Sequence, residues 1–377
     1  MVGDFLKAGF EHTLTVLSEQ ANLLLVSVGC ASWLVSLIVD GIIAGVGGIL
    51  TFIPNIVILF LALAMLEDSG YMSRVAYVMD NIMGRAGLSG KAFLPMVLGF
   101  GCTVPAIMAT RALETERDRR KTMLITPFMS CSARLPVYVL ISDMFFGKYA
   151  GLAAFSMYVI GMMVAIAAAL AIHGWERGKE RTNDCLLIEL PEYKRPNART
   201  IGIYVWTKLK DYLEKAGTTI FIASIIIWFV LNFGIKGMVE NPADSFGAVI
   251  GKWLMPVLAP AGLDMWQIAV ALISGISAKE VVVSSFAVLF GVGNANSEAG
   301  MAAIVNHIHM QNPDFGPVNA YALMVFCLLY VPCAATIATV KKESGSWKFT
   351  MKMVLFQLLL AWSAAVFVYQ VGSLLFR

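Results

Sequence analysis

The 377-residue sequence is 58% hydrophobic and only 14% charged, with a formal net charge of +3. A soluble domain is nearer half apolar and a quarter charged, so this composition excludes one and points to a lipid bilayer as partner; the net charge itself says little about partners, and no nucleic-acid partner is expected. The six cysteines form no CxxC pair and no close Cys/His spacing, which excludes a zinc ribbon and a disulfide scaffold.

The opening residues, MVGDFLKAGFEHTLTVL, lack the basic start, apolar core and cleavage site of a signal peptide and read as an amphipathic cytoplasmic approach helix. Crossing ~30 Å of hydrocarbon takes roughly 20 mostly apolar residues. Windows 50–66, 122–146, 151–172, 217–235, 265–290, 319–340 and 353–375 meet that need, and 22–39, 92–110 and 246–262 do so less regularly. The expectation is an all-α, polytopic helical membrane protein with about eight to ten membrane segments. Residues 22–50 are open between a crossing and an interfacial course.

After the first regular window, LEDSGYMSRVAYVMDNIMGR sets Glu67, Asp68, Arg74 and Asp80 between apolar runs, as an entry vestibule or an interfacial loop. GRAGLSGKA (84–92) superficially suggests a phosphate loop, but Arg85 and Ala92 stand where Gly and Ser or Thr belong, so no nucleotide site is expected. In GFGCTVPAI (99–107), Pro105 removes a backbone donor and disfavours helix at Val104, while Gly99 and Gly101 permit a bend. Non-helical backbone at membrane depth survives only when buried in protein or lining a cavity. Freed carbonyls and a thiolate at Cys102 make a cation site there; the plainer reading is a proline kink with a packing cysteine. We therefore expect residues 99–105 to be bent or unwound, with Cys102 facing the interior.

PFMSCSARLPVY repeats the theme, with Ser130, Cys131, Ser132 and the charged Arg134 between two prolines. A charge within a membrane segment is expensive and marks a pathway or a partnered site, unless Arg134 snorkels to the interface. The polar stretch 174–215 reads as a cytoplasmic linker ending in an amphipathic helix near 203–215; it divides the chain into a first half, 1–173, and a second, 216–377. In ISGISAKEVVVSS, Lys279 and Glu280 point to two faces of a helix: Glu280 to attract or coordinate a cation, Lys279 to pair with an acid. The alternative is an interfacial helix end. LLYVPCAATIATVKK places Cys333 directly after Pro332, ahead of Thr336 and Thr339. His307 and His309, in NHIHMQ, are read mainly as exposed polar loop residues, and Cys30 and Cys327 as packing residues. No HExxH or GxSxG motif occurs, and no enzyme is expected.

Lysines and arginines orient these pieces. Segment 111–121 holds five, 174–215 nine and 341–352 four, whereas 291–318 holds none, so the first three belong to the cytoplasm and the last outside. The pair GFGCTVPAIMATR and PFMSCSARLPVYVL then brackets a cytoplasmic loop, while ISGISAKEVVVSS and LLYVPCAATIATVKK bracket an external one. Two gate-type repeats of opposite orientation, each with broken or re-entrant helices, are the resulting expectation; transporters place binding sites at such breaks.

The strings LEDSGYMSRVAYVMD, GFGCTVPAIMATR, PFMSCSARLPVY, ISAKEVV and YVPCAATIAT, in this order, resemble the membrane region of the ferrous iron transport protein B (FeoB) family over nearly all 377 residues. The resemblance implies a multi-pass importer of Fe(II) in the bacterial inner membrane, with Cys102, Cys131 and Cys333 as leading metal ligands, supplemented by Ser130, Glu280 or carbonyls. Thiolates suit Fe(II) better than they suit Mg²⁺ or Ca²⁺. Gly99, Gly101, Pro105, Arg134, Lys279, Glu67 and Asp68 are the pathway or gating candidates. The family carries a GTPase domain, but no GxxxxGK[ST] occurs in these residues, so the implied partners are a GTPase domain in cis or in trans, small accessory proteins of iron uptake, and a second copy in a homo-oligomer. Thr103 stands where the family often has Asn. A gate-type carrier of nucleosides or another small solute, and a thiol-sensing membrane partner that transports nothing, are the alternatives.

Overall fold

The computed structural model describes residues 2–27, 31–176, 193–234, 237–239, 242–292, 295 and 297–375; Cys30, Cys185 and residues 177–192 of the expected linker lie outside these. The described residues are almost entirely helical. Helix α1 (Val2–Ser27) packs on α3 (Ala44–Asp68), with α2 (Ser32–Ser36) and a π-helical stretch, Leu37–Ile43, between them. At Gly70, whose φ of 77° suits a residue without a Cβ, the chain turns by 82° into the amphipathic α4 (Tyr71–Arg85).

The apolar window 92–110 does not form one continuous helix. It folds into a hairpin of two short helices, α5 (Phe93–Gly101) and α6 (Thr103–Ala109), packed against each other. Both feet end on one side, where Lys91 Nζ meets Glu114 Oε1 at 2.5 Å. The basic segment follows as α7 (Glu116–Ile125), started by the Thr115 hydroxyl, which accepts from the Asp118 amide, and by acidic residues at the positive helix end. Met129 and Cys131 have extended backbone, and α8 (Leu135–Phe146) continues the segment. Helix α9 (Ala150–Glu176) then returns unbroken.

The second half repeats this order. Helix α10 (Ala198–Tyr212) runs through a π-helical stretch, Leu213–Gly217, into α11 (Thr218–Asn232), so the expected linker helix continues directly into an apolar one. Helix α12 (Phe246–Leu258) lies at 102° to α13 (Trp266–Ser274) across a corner at Gly262. Helices α13 and α14 (Val281–Leu289) form a second hairpin, its entry foot tied to the end of α15 (Glu298–Gln311) by Gln267 to Gln311 at 2.6 Å and Asn312 to Asp264 at 2.8 Å. Helices α16 (Pro317–Leu329) and α17 (Ala334–Ser344) are one broken segment, and α18 (Trp347–Leu375) is the last unbroken one. The first hairpin stands on the base-rich segment and the second on the base-free one, which gives the two repeats opposite orientation under the positive-inside rule.

Among the described residues, three stretches are long and apolar enough to span, within Glu116–Gly174, Pro317–Ser344 and Trp347–Leu375, and five if each bent pair counts as one. This differs from the expected eight to ten because windows 122–146 and 151–172 fall in the single stretch Glu116–Gly174, helix breaks divide windows 92–110 and 265–290, and Trp33–Ile43 and Phe221–Asn232 are short apolar helices. In the Pro317 stretch 78% of the apolar window is buried, against 28% and 22% in the other two. Helix α16 is therefore the axis of the fold, wrapped by α8, α9 and α18, and the latter two present exposed residues such as Phe155, Met163, Leu359 and Phe367 to lipid.

On the basic side one ion cluster joins the halves. Arg111, at the end of the first hairpin, donates from Nε to Glu343 Oε2 at 2.6 Å and from Nη2 to Oε1, and Arg119 donates to the Glu343 carbonyl. The Glu343 side chain is only 3% exposed, and its hydrogen bonds and charge hold the Arg111 guanidinium above its ordinary value. Replacing Glu343 by Gln should cost about 2 kcal/mol, read as a lowered midpoint of thermal unfolding in detergent, whereas Glu114→Gln on the exposed Lys91 pair should cost less than about 1 kcal/mol.

Candidate functional site

Each repeat has two interruptions, one at its hairpin tip and one in its broken segment; a cysteine marks three of the four and a glutamate the other. Cys102 is the single extended residue between α5 and α6, with φ −152° and ψ 130°. Cys131 is the N-cap of the turn Ser132–Arg134 that leads into α8, Cys333 is the N-cap of α17, and Glu280 is the N-cap of α14. The unwound stretch is thus shorter than 99–105: Thr103, Val104 and Pro105 already belong to the first turn of α6, where the missing proline N–H costs nothing.

The four elements meet. Cys102 lies within electrostatic range of both Cys131 and Cys333, and Cys333 Sγ is 3.2 Å from Thr336 Oγ1. Cys102 and Cys333 pack on one apolar cluster that includes Phe60, Leu98, Val104, Met108 and Ala335. That cluster also contains Tyr212, whose phenol is in electrostatic range of Cys102, Cys333 and Glu280. Among the described residues no three His, Cys, Asp or Glu side chains stand close enough to hold a metal ion together. The thiols line one region without forming a ready chelate.

Backbone freed at the breaks is satisfied within the protein. Ser132 Oγ donates to Gly101 O at 2.9 Å, tying the first broken segment to the first hairpin tip. In the second half Ala334 N donates to Ile276 O at 2.7 Å, and Lys279 Nζ donates to Val331 O at 2.5 Å. Lys279 therefore pairs with a carbonyl, and with the Tyr330 ring 3.1 Å away, rather than with the expected acid. Arg134 does not snorkel: it is 2% exposed and donates to Pro127 O at 3.1 Å and Met129 O at 3.2 Å. The two cations line a small void with Val137, Val282, Cys327 and Tyr330 that has no room for a water molecule. The buried Ser130 hydroxyl donates to the Tyr138 hydroxyl at 3.3 Å.

Glu67 and Asp68 border a cavity of about 370 Å³ between the end of α3 and the start of α10, shared with Lys194, Thr200 and Tyr204. Asp68 Oδ2 accepts from the Asn197 amide at 2.7 Å, and burial followed by Glu67 pushes the Tyr204 phenol up. The cavity opens beside the linker, the side that its basic residues assign to the cytoplasm. His307 and His309 lie on α15, not in a loop. Sequence reading missed Tyr212, which sits in the polar string KLKDYLEK and gives no sign of burial.

The chain matches the family model described as "Nucleoside recognition" (Gate) over residues 49–145 and 213–347, and the one described as "Ferrous iron transport protein B C terminus" over residues 154–208. It is 43% identical over 346 residues to "Fe(2+) transporter FeoB" of Staphylococcus aureus (strain MSSA476), covering 92% of this chain and 50% of that one. A protein of the same name from Methanocaldococcus jannaschii is 43% identical over 352 residues, 91% of this chain and 51% of that one. The "Fe(2+) transport protein A/Fe(2+) transporter FeoB fusion protein" of Porphyromonas gingivalis is 39% identical over 380 residues, covering 90% and 44%. The chain spans about half the length of the curated relatives it matches. No solved structure matches.

The glycines before Cys102 serve close approach. A Cβ on Gly99 would stand 2.9 Å from Met129 Cβ and 3.3 Å from Thr126 Cγ2, wedging the hairpin away from the broken segment. A Cβ on Gly101 would meet only the flexible end of Leu59. Gly99→Ala should therefore destabilise by about 1–3 kcal/mol in thermal unfolding and Gly101→Ala by less.

Proposed function

The chain belongs to the FeoB family, as the membrane region that carries the Gate repeats, and from that membership we propose that it passes Fe(II) across the bacterial inner membrane between its two inverted halves. The observation that carries the reading is the recurrence of a soft or anionic donor at every break: Cys102, Cys131, Glu280 and Cys333 head the four elements that converge. Fe(II) is borderline in softness and takes thiolate, carboxylate and carbonyl together. Binding requires the thiols to lose their protons, so metal affinity rises with pH. Donors that line a path without forming a three-residue cage bind weakly enough to release the ion, which a transporter must do.

The sealed centre suits a resting state. An entering dication meets Arg134 and Lys279 before it can pass, and these must give way for the path to open. On the linker side, Glu67 and Asp68 offer hard oxygen donors in an open cavity, where the ion can exchange protein ligands for water. The energy for opening comes in this reading from a GTPase domain in cis or in trans, because relatives about twice as long share this region. Fusion of transport protein A to the Porphyromonas relative supports a small accessory partner.

The Gate description, "Nucleoside recognition", favours a second reading as a carrier of nucleosides. It has no use for three converging thiols, and the central void is far too small for a nucleoside. The two readings separate by ligand-dependent thermal shift under anaerobic conditions: Fe(II) or Co(II) should raise the unfolding temperature, and nucleosides should not. In liposomes, Fe(II) uptake should fall by about tenfold or more in Cys102→Ser and in Cys131→Ser, while His307→Ala stays within about twofold of the parent. Unchanged uptake in both cysteine variants refutes the thiol path.

A further inference from the structure

One buried group beside the thiols belongs to neither repeat's hairpin nor its broken segment. Tyr212 ends α10, the helix that arrives from the linker side, and it is only 5% exposed. It packs in the same apolar cluster that receives Cys102 and Cys333, and its phenol also reaches the field of Glu280. Three of the four donors thus share a single neighbour that comes from outside the gate hairpins.

The backbone directly after Tyr212 is unusual. Leu213–Gly217 is π-helical, and α11 resumes at Thr218. Helix α17, which begins just after Cys333, packs against this π stretch and against α11. A π-turn holds one residue more than an α-turn, so converting it to α-helix shifts the register by one position, a rotation of about 100° for everything on one side. Such stretches are rare and concentrate at functional sites. Because Tyr212 is the last residue before the wide turn, that conversion swings its ring across the face of the thiols. The opposite end of α10 carries Thr200 and Tyr204 at the acidic cavity. One rigid helix therefore connects the cover over the donors to the opening that leads away from them.

We propose that Tyr212 is the cytoplasmic gate residue of the path: its ring covers Cys102, Cys333 and Glu280 on the linker side, and a register change in Leu213–Gly217 uncovers them. This rests on those thiols lining the path, and its test needs no iron, so the two ideas can fail separately. Membrane vesicles containing the full chain are treated with a membrane-impermeant maleimide from one face or the other, and alkylation of Cys102 and Cys333 is followed by peptide mass spectrometry. Tyr212→Ala should speed alkylation of both from the cytoplasmic face by about tenfold and leave the opposite face unchanged, while Tyr212→Phe, which keeps the ring, stays within about twofold. Deleting Glu214 removes the extra residue of the wide turn and should speed cytoplasmic alkylation as Tyr212→Ala does. Alkylation in Tyr212→Ala as slow as in the parent overturns the gate, and so does an equal rise from both faces, which marks general loosening. Faster cytoplasmic alkylation alongside Fe(II) uptake that ignores Cys102→Ser upholds the gate and sinks the iron reading.

Discussion

A helix broken at membrane depth releases amides and carbonyls that no water is present to satisfy, and this fold is organised around satisfying them. Breaks occur in both hairpins and both broken segments, and each break is bound to a neighbour within its own half. Ser132 caps Gly101 O, Lys279 caps Val331 O, and Ala334 N reaches Ile276 O, each within 2.9 Å. Arg134 takes two carbonyls of the stretch that precedes it. Buried cations, costly in hydrocarbon, are retained where they satisfy groups that would be more costly unpaired.

This use of bonding capacity leaves the cysteines spare. In both halves the hydroxyls, amides and cations satisfy the backbone, while the sulfurs at the breaks are poor hydrogen-bond partners, and Cys333 meets the Thr336 hydroxyl. Soft donors that are not structurally committed can bind and release an ion without unfolding the break around them. The same division is seen at Ser130, whose hydroxyl finds a partner in Tyr138.

Much of this was legible in the residues. Gly99, Gly101 and Pro105 announced an interruption, the lysine and arginine distribution oriented the halves, and Cys beside Pro recurred in both. What could not be read was whether an interrupted window crosses or turns back. Two antiparallel helices of nine and seven residues have the same length and apolarity as one span, and only packing between α5 and α6 and the Lys91 to Glu114 pair distinguish them. Pro105 misled by type, since a proline in the first turn starts a helix as readily as it breaks one. Lys279 invited an acidic partner because charge pairing is the commoner remedy, yet an ammonium has three donors and a carbonyl with an aromatic face served instead.

The void between Arg134 and Lys279 has a consequence for bioenergetics. Protons cross membranes along files of hydrogen-bonded water, and a space that admits not one water molecule interrupts any such file at the junction of the two halves. A protein with several helix breaks and titratable thiols at depth would otherwise be a short circuit for the proton-motive force. Dryness at that one point breaks a water file there whatever the protonation state of the sulfurs on either side.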